Sequence, residues 1–396
     1  MVIAAKIKRQ MAEGGWIRKM FEEGIALKKK YGEDKVFDLS IGNPIMEPPS
    51  QFNEELKRLV DSPMPGMHRY MPNPGYPETR AAVAAHLKKE TGLPFTGNDI
   101  VMTAGAAGAV NVVIKAICEP GDEIIIFAPY FAEYIYYIDN HDAVTKIVPT
   151  DANFMPDLKA LEAAMNPKTR GVLINSPNNP SGQVYSREIL NKIGELIRQK
   201  EAEFKREIYL ISDDPYRKIV FDGLEVPYIF DFHPRSIMAM SHSKDLGLAG
   251  ERIGYVAVNP LNKDHEELVN GIIFCSRVLG YVNAPALMQH VVAKLQDITV
   301  DVGKYQRQRD YFCDALTGMG YQLVRPHGTF YIFPKTPIPD EMAFIGELLK
   351  YNVLVVPGSG FGAPGYFRIA FCTDDKFIEG SLPGFKAVAK RYGLSK

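Results

Sequence analysis

The stretch SHSKDLGLAGERIGY, residues 241–255, sets Lys244 behind Ser241 and Ser243 and eight residues ahead of Arg252. SIMAM (236–240) before it and RIGYVAV (252–258) at its end both read as buried strands, so the stretch is a strand-end loop. A lysine is most often a solvated surface charge. It becomes a nucleophile for carbonyls when burial or neighbouring cations lower its pKa. Two hydroxyls and a fixed guanidinium nearby suit a phosphate. Which reading applies depends on what else reaches the same place.

Upstream, apolar β-branched runs alternate with helical patterns. DIVMTAG (99–105), DEIIIFAPY (122–130), AVTKIVP (143–149), TRGVLINSP (169–177) and EIYLISDDPY (207–216) read as strands. Helices are expected between them, near 156–165 and 186–200 among others. Such alternation predicts an α/β fold whose mainly parallel central sheet is covered by helices on both faces. In open sheets of this kind, loops at the carboxyl ends of strands form the ligand crevice. Gly105, Asn175–Gly182, Asp213–Tyr216 and Ser241–Lys244 all fall at such ends. Four loops distant in sequence are therefore expected to face one crevice.

After about residue 285 the pattern changes to two long helices, YQLVRPHGTFYIFP (321–334), a short helix, NVLVVPG (352–358), YFRIAF (366–371) and a closing helix. This predicts a smaller α+β domain, with the helix near 16–31 crossing back to it. The expected division is an N-terminal arm and part of the small domain in 1–48, a large domain in 49–290 and a C-terminal domain in 291–396.

Composition narrows the function classes. Forty-six basic against forty-seven acidic residues give a net charge of −1, which offers no bulk field for nucleic acid or anionic lipid. No apolar run is long enough to span a membrane and the N-terminus has no long apolar h-region, so a soluble, cytoplasmic protein is expected. The four cysteines have no framework spacing and read as reduced thiols. Histidines show no metal-ligand spacing, so no metal is expected.

TAGAAGAVN (103–111) ends a strand and begins a helix. Its free amides and small side chains suit either an anion or tight helix–sheet contact. NSPNNPSG (175–182) is stiffened by prolines and offers asparagine amides. In SDDPY (212–216), Asp213 at a strand end could keep a heteroaromatic nitrogen protonated. PGSGFGAPG (357–365) leads into a strand, not a helix, and reads as a turn bordering the site rather than a dinucleotide fingerprint.

Together SHSKDLGLAGERIGY, NSPNNPSG, SDDPY and YFRIAF resemble, in order, the motifs of the class I/II aminotransferases, fold-type I enzymes that use pyridoxal 5'-phosphate (PLP). The likeness runs from about Leu39 to Phe371. It implies that Lys244 forms the Schiff base with PLP, that Asp213 pairs with the pyridinium nitrogen and that Tyr216 and Asn179 contact the ring 3'-oxygen. Phe131 would stack on the ring. Ser241, Ser243, Arg252 and the backbone of Gly105, Ala106 and Ala107 would hold the phosphate, with Tyr70 reaching it from the neighbouring subunit of a homodimer. Arg368 would fork onto the substrate α-carboxylate, with Gly42 beside it. The implied reaction is a ping-pong transfer between an L-amino acid and a 2-oxo acid. A lyase or decarboxylase on the same residues is the alternative, and a non-catalytic sensor a remoter one. Two departures stand out: AGAAG lacks a Ser or Thr, and Ala107 occupies the place of a lysine found in some dicarboxylate-selective members.

Overall fold

The computed structural model describes residues 2–14 and 16–394. Its strands in chain order are β1 (Phe37–Asp38), β2 (Ile100–Thr103), β3 (Glu123–Ala128), β4 (Val144–Pro149), β5 (Thr169–Asn175) and β6 (Tyr209–Asp213). There follow β7 (Ser236–Ser241), β8 (Gly254–Val258), β9 (Tyr331–Ile332), β10 (Val353–Leu354), β11 (Val356–Pro357) and β12 (Phe367–Ala370).

Seven strands form the main sheet in the order β2-β8-β7-β6-β5-β3-β4. β3, β4, β5, β6 and β7 pair in parallel, while β8 is antiparallel to both β7 and β2. β2 therefore runs with the majority and β8 alone runs against it. The central strands are buried along their length except at the half-buried Arg170 of β5, as apolar runs between two helical layers must be. One face carries helices Gly105–Ile117 and His265–Val278; the other carries Pro77–Thr91, Arg187–Phe204 and Ala286–Val292. Each buried Leu, Ile or Val on these faces contributes roughly 1.5–3 kcal/mol over an exposed one.

A second core is built on the antiparallel sheet β11-β12-β9 and the parallel pair β1-β10, with helices Val302–Gly318, Glu341–Leu349 and Asp375–Arg391 packed around them. Met20 and Leu39 from the N-terminal portion are buried in that core.

Two expectations are corrected. The first long helix after residue 285 is only Ala286–Val292; the chain then closes short turns, with Lys294 N–H on Val291 O and Leu295 N–H on Val292 O. Those turns bring Thr299 and Val300 back to bond the Asp245 carbonyl. The strand expected over 321–334 shrinks to Tyr331–Ile332. The loop before it instead bonds Gly182 O through the amides of His327 and Gly328.

Candidate active site

The sheet topology decides what meets at its carboxyl edge. Cross-strand register places Asn175 beside Asp213, Asp213 beside Ala239, Ser241 beside Gly254 and Gly254 beside Thr103. Because β8 runs backwards, it begins at this edge, and Arg252 just ahead of it is delivered to the ends of the other strands. A cavity of about 170 Å³ opens there, lined among others by Ala106, Ala107, Phe131, Asn179, Asp213, Tyr216, Ser241, Ser243, Lys244 and Arg252. All four strand-end clusters thus reach one place.

At one end of the cavity, helix Gly105–Ile117 starts with its first amides unpaired within the helix. Arg252 donates to Ala104 O and Ala249 O at 3.2 and 3.0 Å and approaches Ser243 Oγ at 3.4 Å. Ser243 Oγ lies 2.7 Å from Ser241 Oγ. Gly105 has φ +75°, and a Cβ there would meet Arg252 Nη2 at 2.6 Å, so glycine lets the helix start and the guanidinium come together. Amides, two hydroxyls and a guanidinium form a cradle for a dianion.

Asp213 lies further along the sheet edge. Tyr134 donates to its Oδ2 at 2.5 Å, and its backbone carbonyl accepts from the Asn175 amide at 2.7 Å. Oδ1 is buried with no partner among the described residues. Burial pushes the Asp213 carboxyl up to about 7, and the Tyr134 hydroxyl opposes that rise. A buried carboxylate with a free oxygen at a cavity wall fits a cationic N–H donor.

Lys244 Nζ donates to Gly42 O at 2.8 Å. Burial lowers its pKa to about 8; the guanidiniums of Arg368 and Arg252 push the same way, while Cys372 opposes. Beyond it, Arg368 is only 3% exposed, with Nη1 on Asn179 Oδ1 at 3.1 Å and Nη2 on Ser40 O at 2.7 Å. The rings of Tyr331 and Phe361 lie 4.5 and 4.7 Å from it. Phe361 comes from the glycine-rich turn 357–365, which thus lies against Arg368. Gly42 carries no side chain for steric reasons: a Cβ there would sit 1.9 Å from Tyr331 Oη.

Residues 34–379 match the family described as aminotransferase class I and II. The chain belongs to that family.

Among its relatives, the aspartate/prephenate aminotransferase of Thermus thermophilus is 29% identical, over 92% of this chain and 93% of its own. The aspartate aminotransferase of Thermotoga maritima is 32% identical over 88% and 89%. An aminotransferase structure from Eubacterium rectale superposes with a TM-score of 0.95 at 39% identity, covering 99% of both chains. The aspartate aminotransferase of T. thermophilus with maleate gives 0.86 at 26%, covering 98% of this chain and 100% of that one.

In this aminotransferase, sequence reasoning missed Tyr134 and Tyr331. Tyr134 also meets Phe131 edge-on at 5.4 Å, so one ring braces both the free carboxylate and the aromatic wall. Tyr331 Oη lies 3.2 Å from Tyr216 Oη. Neither residue carries a motif signal: one sits in the apolar run YIYYI and the other in FYIF. Tyr70 is 91% exposed and does not line the cavity of its own chain.

A larger cavity of about 1030 Å³ lies elsewhere, with His86, Arg187, Arg217 and Lys218 in its lining. The last three are committed: Arg187 to Asp231, Arg217 to Asp214, Lys218 to Ile298 O. His86, Glu90 and Asp297 bring ligand-type atoms within 4.8 Å of one another there. Lys89 Nζ lies 3.3 Å from both Asp297 oxygens, so that carboxylate already faces a cation. Neither feature competes with the sheet-edge site. No helix of the described residues is long and apolar enough to cross a membrane.

Proposed function

We propose that the cavity at the sheet edge holds PLP and that the chain moves an amino group between an L-amino acid and a 2-oxo acid. The observation that carries this is the unpartnered Oδ1 of Asp213, in the wall of the cavity that also contains Lys244. When bound, PLP supplies an electron sink for charge developing at the substrate Cα.

The chain's own residues do the rest. Asp213 would pair with the pyridine nitrogen and keep it protonated. Tyr216 and Asn179 would hold the ring 3'-oxygen, and Phe131 would pack on the ring. Ser241, Ser243, Arg252 and the amides of Gly105, Ala106 and Ala107 hold the phosphate. Arg368 forks onto the α-carboxylate, with Gly42 leaving room beside it, and fixes the Cα–H direction, a positioning contribution. Lys244 would hold the cofactor covalently, and its free amine would take the Cα proton at Nζ; a pKa of about 8 suits that exchange near neutral pH.

The working form is a homodimer in the cytoplasm, with Tyr70 contacting the neighbouring phosphate. The exposure of Tyr70, together with that of Val60, Phe274 and Val278, supports such a contact. The large domain spans 49–290 and the small one 291–396 together with part of 1–48, a division supported by the separate cores around the seven-stranded sheet and around the two smaller sheets.

The test is direct. Borohydride treatment should fix PLP covalently to the wild-type chain and not to Lys244→Ala, which should lose nearly all turnover. Amino acids are then scanned for conversion of bound PLP to pyridoxamine phosphate, beginning with aspartate, the donor in the relatives' names. Covalent fixation in Lys244→Ala would sink the assignment. Pyruvate release without any 2-oxo acid acceptor would favour a lyase instead.

A further inference from the structure

Four consecutive carbonyls, Leu39 to Gly42, each accept from a donor in the site wall. Leu39 O takes the Ala370 amide at 2.8 Å and Ser40 O takes Arg368 Nη2 at 2.7 Å. Ile41 O faces the Cys372 thiol at 3.9 Å, and Gly42 O takes Lys244 Nζ at 2.8 Å. Strand β1 ends at Asp38; the Leu39 amide still bonds Leu354 O at 3.0 Å, but among the described residues no backbone ladder continues through Ser40, Ile41 and Gly42.

Asp38 supplies what the ladder does not. Its Oδ1 accepts from the Ser40 amide at 3.2 Å and the Ser40 hydroxyl at 2.6 Å, closing an Asx turn onto the residue two places ahead. Its Oδ2 accepts from Lys28 Nζ at 3.0 Å, tying the turn to helix Trp16–Tyr31. Gly24 of that helix lies close by; a Cβ there would come within 3.2 Å of Asp38 Oδ2.

We propose that Asp38 is a positioning residue for substrate binding: by fixing the Ser40 peptide it holds the Arg368 guanidinium in the plane that receives the α-carboxylate. The physical reason is direction: the rings of Tyr331 and Phe361 hold the guanidinium without directional bonds. Among the described residues, Arg368 makes hydrogen bonds to Asn179 and Ser40, and losing one leaves its rotation free to vary. A bidentate carboxylate contact tolerates little of that. The inference rests on the reading of Arg368 as the α-carboxylate site.

The experiment uses the PLP-loaded enzyme with Asp38→Ala, Asp38→Glu and Asp38→Asn. Asp38→Ala should raise the KM for the amino acid about tenfold, the scale of one hydrogen bond to a charged group, with kcat within about twofold. The calorimetric affinity of an unreactive 2-methyl amino acid should fall in parallel, while the affinity for PLP itself stays at the wild-type value. Asp38→Asn keeps an oxygen for Ser40 and should restore most of the loss. Asp38→Glu moves the oxygen by one methylene and should give the same split at smaller size, which serves if the alanine variant does not fold. In combination with Arg368→Lys, Asp38→Ala should add little, because both act on one contact.

A lower melting temperature with unchanged KM and unchanged inhibitor affinity would reduce Asp38 to a structural role and overturn the proposal, as would full additivity with Arg368→Lys. If the wild type binds PLP but no α-carboxylate at all, the parent reading of Arg368 fails, and this inference with it; the wild-type control tells the two failures apart.

Discussion

At the sheet edge, Asp213 is buried against the neutral hydroxyl of Tyr134 and has an oxygen with no partner among the described residues. On the wall built by the smaller sheet, Arg368 is buried against two neutral oxygens and two aromatic rings, with no carboxylate in ion-pair range among the described residues. Both are buried charges without a counterion, of opposite sign, and such groups are costly. They relieve the cost differently. Asp213 can take up a proton, and burial places its pKa at about 7. A guanidinium cannot lose its proton in this way, so Arg368 depends on carbonyl and ring contacts. The proposed cofactor end therefore has a charge that waits for a cation and can be switched off; the proposed substrate end has one that waits for an anion and cannot.

The most damaging way to break this comparison is Asp213→Asn. With no carboxylate facing the ring nitrogen, turnover should fall on the order of a thousandfold, the upper range for one preorganised electrostatic group. The same change should stabilise the apo-protein. Between pH 4 and 7 the folded carboxyl binds more protons than the unfolded one, because its pKa is raised from 3.8 to about 7. Its contribution to stability is therefore full at low pH and is lost as pH rises through 7. Apo Asp213→Asn should melt above the wild type at pH 8, with the gap closing toward pH 4. A gap independent of pH would mean that the carboxyl charge is not what destabilises the apo form.

Arg368→Lys tests the other half. The charge survives, but the planar fork and its ring contacts do not. A loss of roughly a hundredfold in kcat/KM is expected, carried mainly by KM. Unchanged substrate affinity would remove Arg368 from the carboxylate role.

How far these two ends could be read in the sequence follows from their construction. Asp213, Lys244, Ser241 and Asn179 stand at ends of apolar runs, and the edge rule collects such ends in one place. Arg252 needed one more fact, the reversed direction of β8, which the run RIGYVAV does not encode. The substrate wall was harder. Ser40, Gly42, Tyr331, Phe361 and Arg368 converge from opposite ends of the chain, through strands of two to four residues that are too short to show a period. Arg368 was legible only through the likeness of YFRIAF to a family motif, and the supporting role of Ser40 was not legible at all. Tyr134 looked like another buried helix residue because its ring is one; only the fold reveals where its hydroxyl goes.

Tyr134→Phe is the finest test of the comparison, because it leaves both charges in place. The hydroxyl remains a neutral donor, since burial and the adjacent Asp213 hold its pKa well above the ordinary tyrosine value. Removing it withdraws a hydrogen bond that stabilises the carboxylate, so the Asp213 pKa should rise further above its position at about 7. Where apo Asp213 is protonated, cofactor binding must first drive the proton off, and that step becomes harder in the variant. Where it is already ionised, the two proteins differ little. The ratio of PLP dissociation constants, variant to wild type, should thus be about tenfold below pH 7 and shrink toward unity at pH 9, as expected when one charged hydrogen bond is lost. Fluorescence titration of the apo-proteins across that range measures it. A ratio that stays flat with pH would assign Tyr134 to packing against Phe131 rather than to the carboxylate, and the switchable charge at the cofactor end would then owe nothing to its hydroxyl.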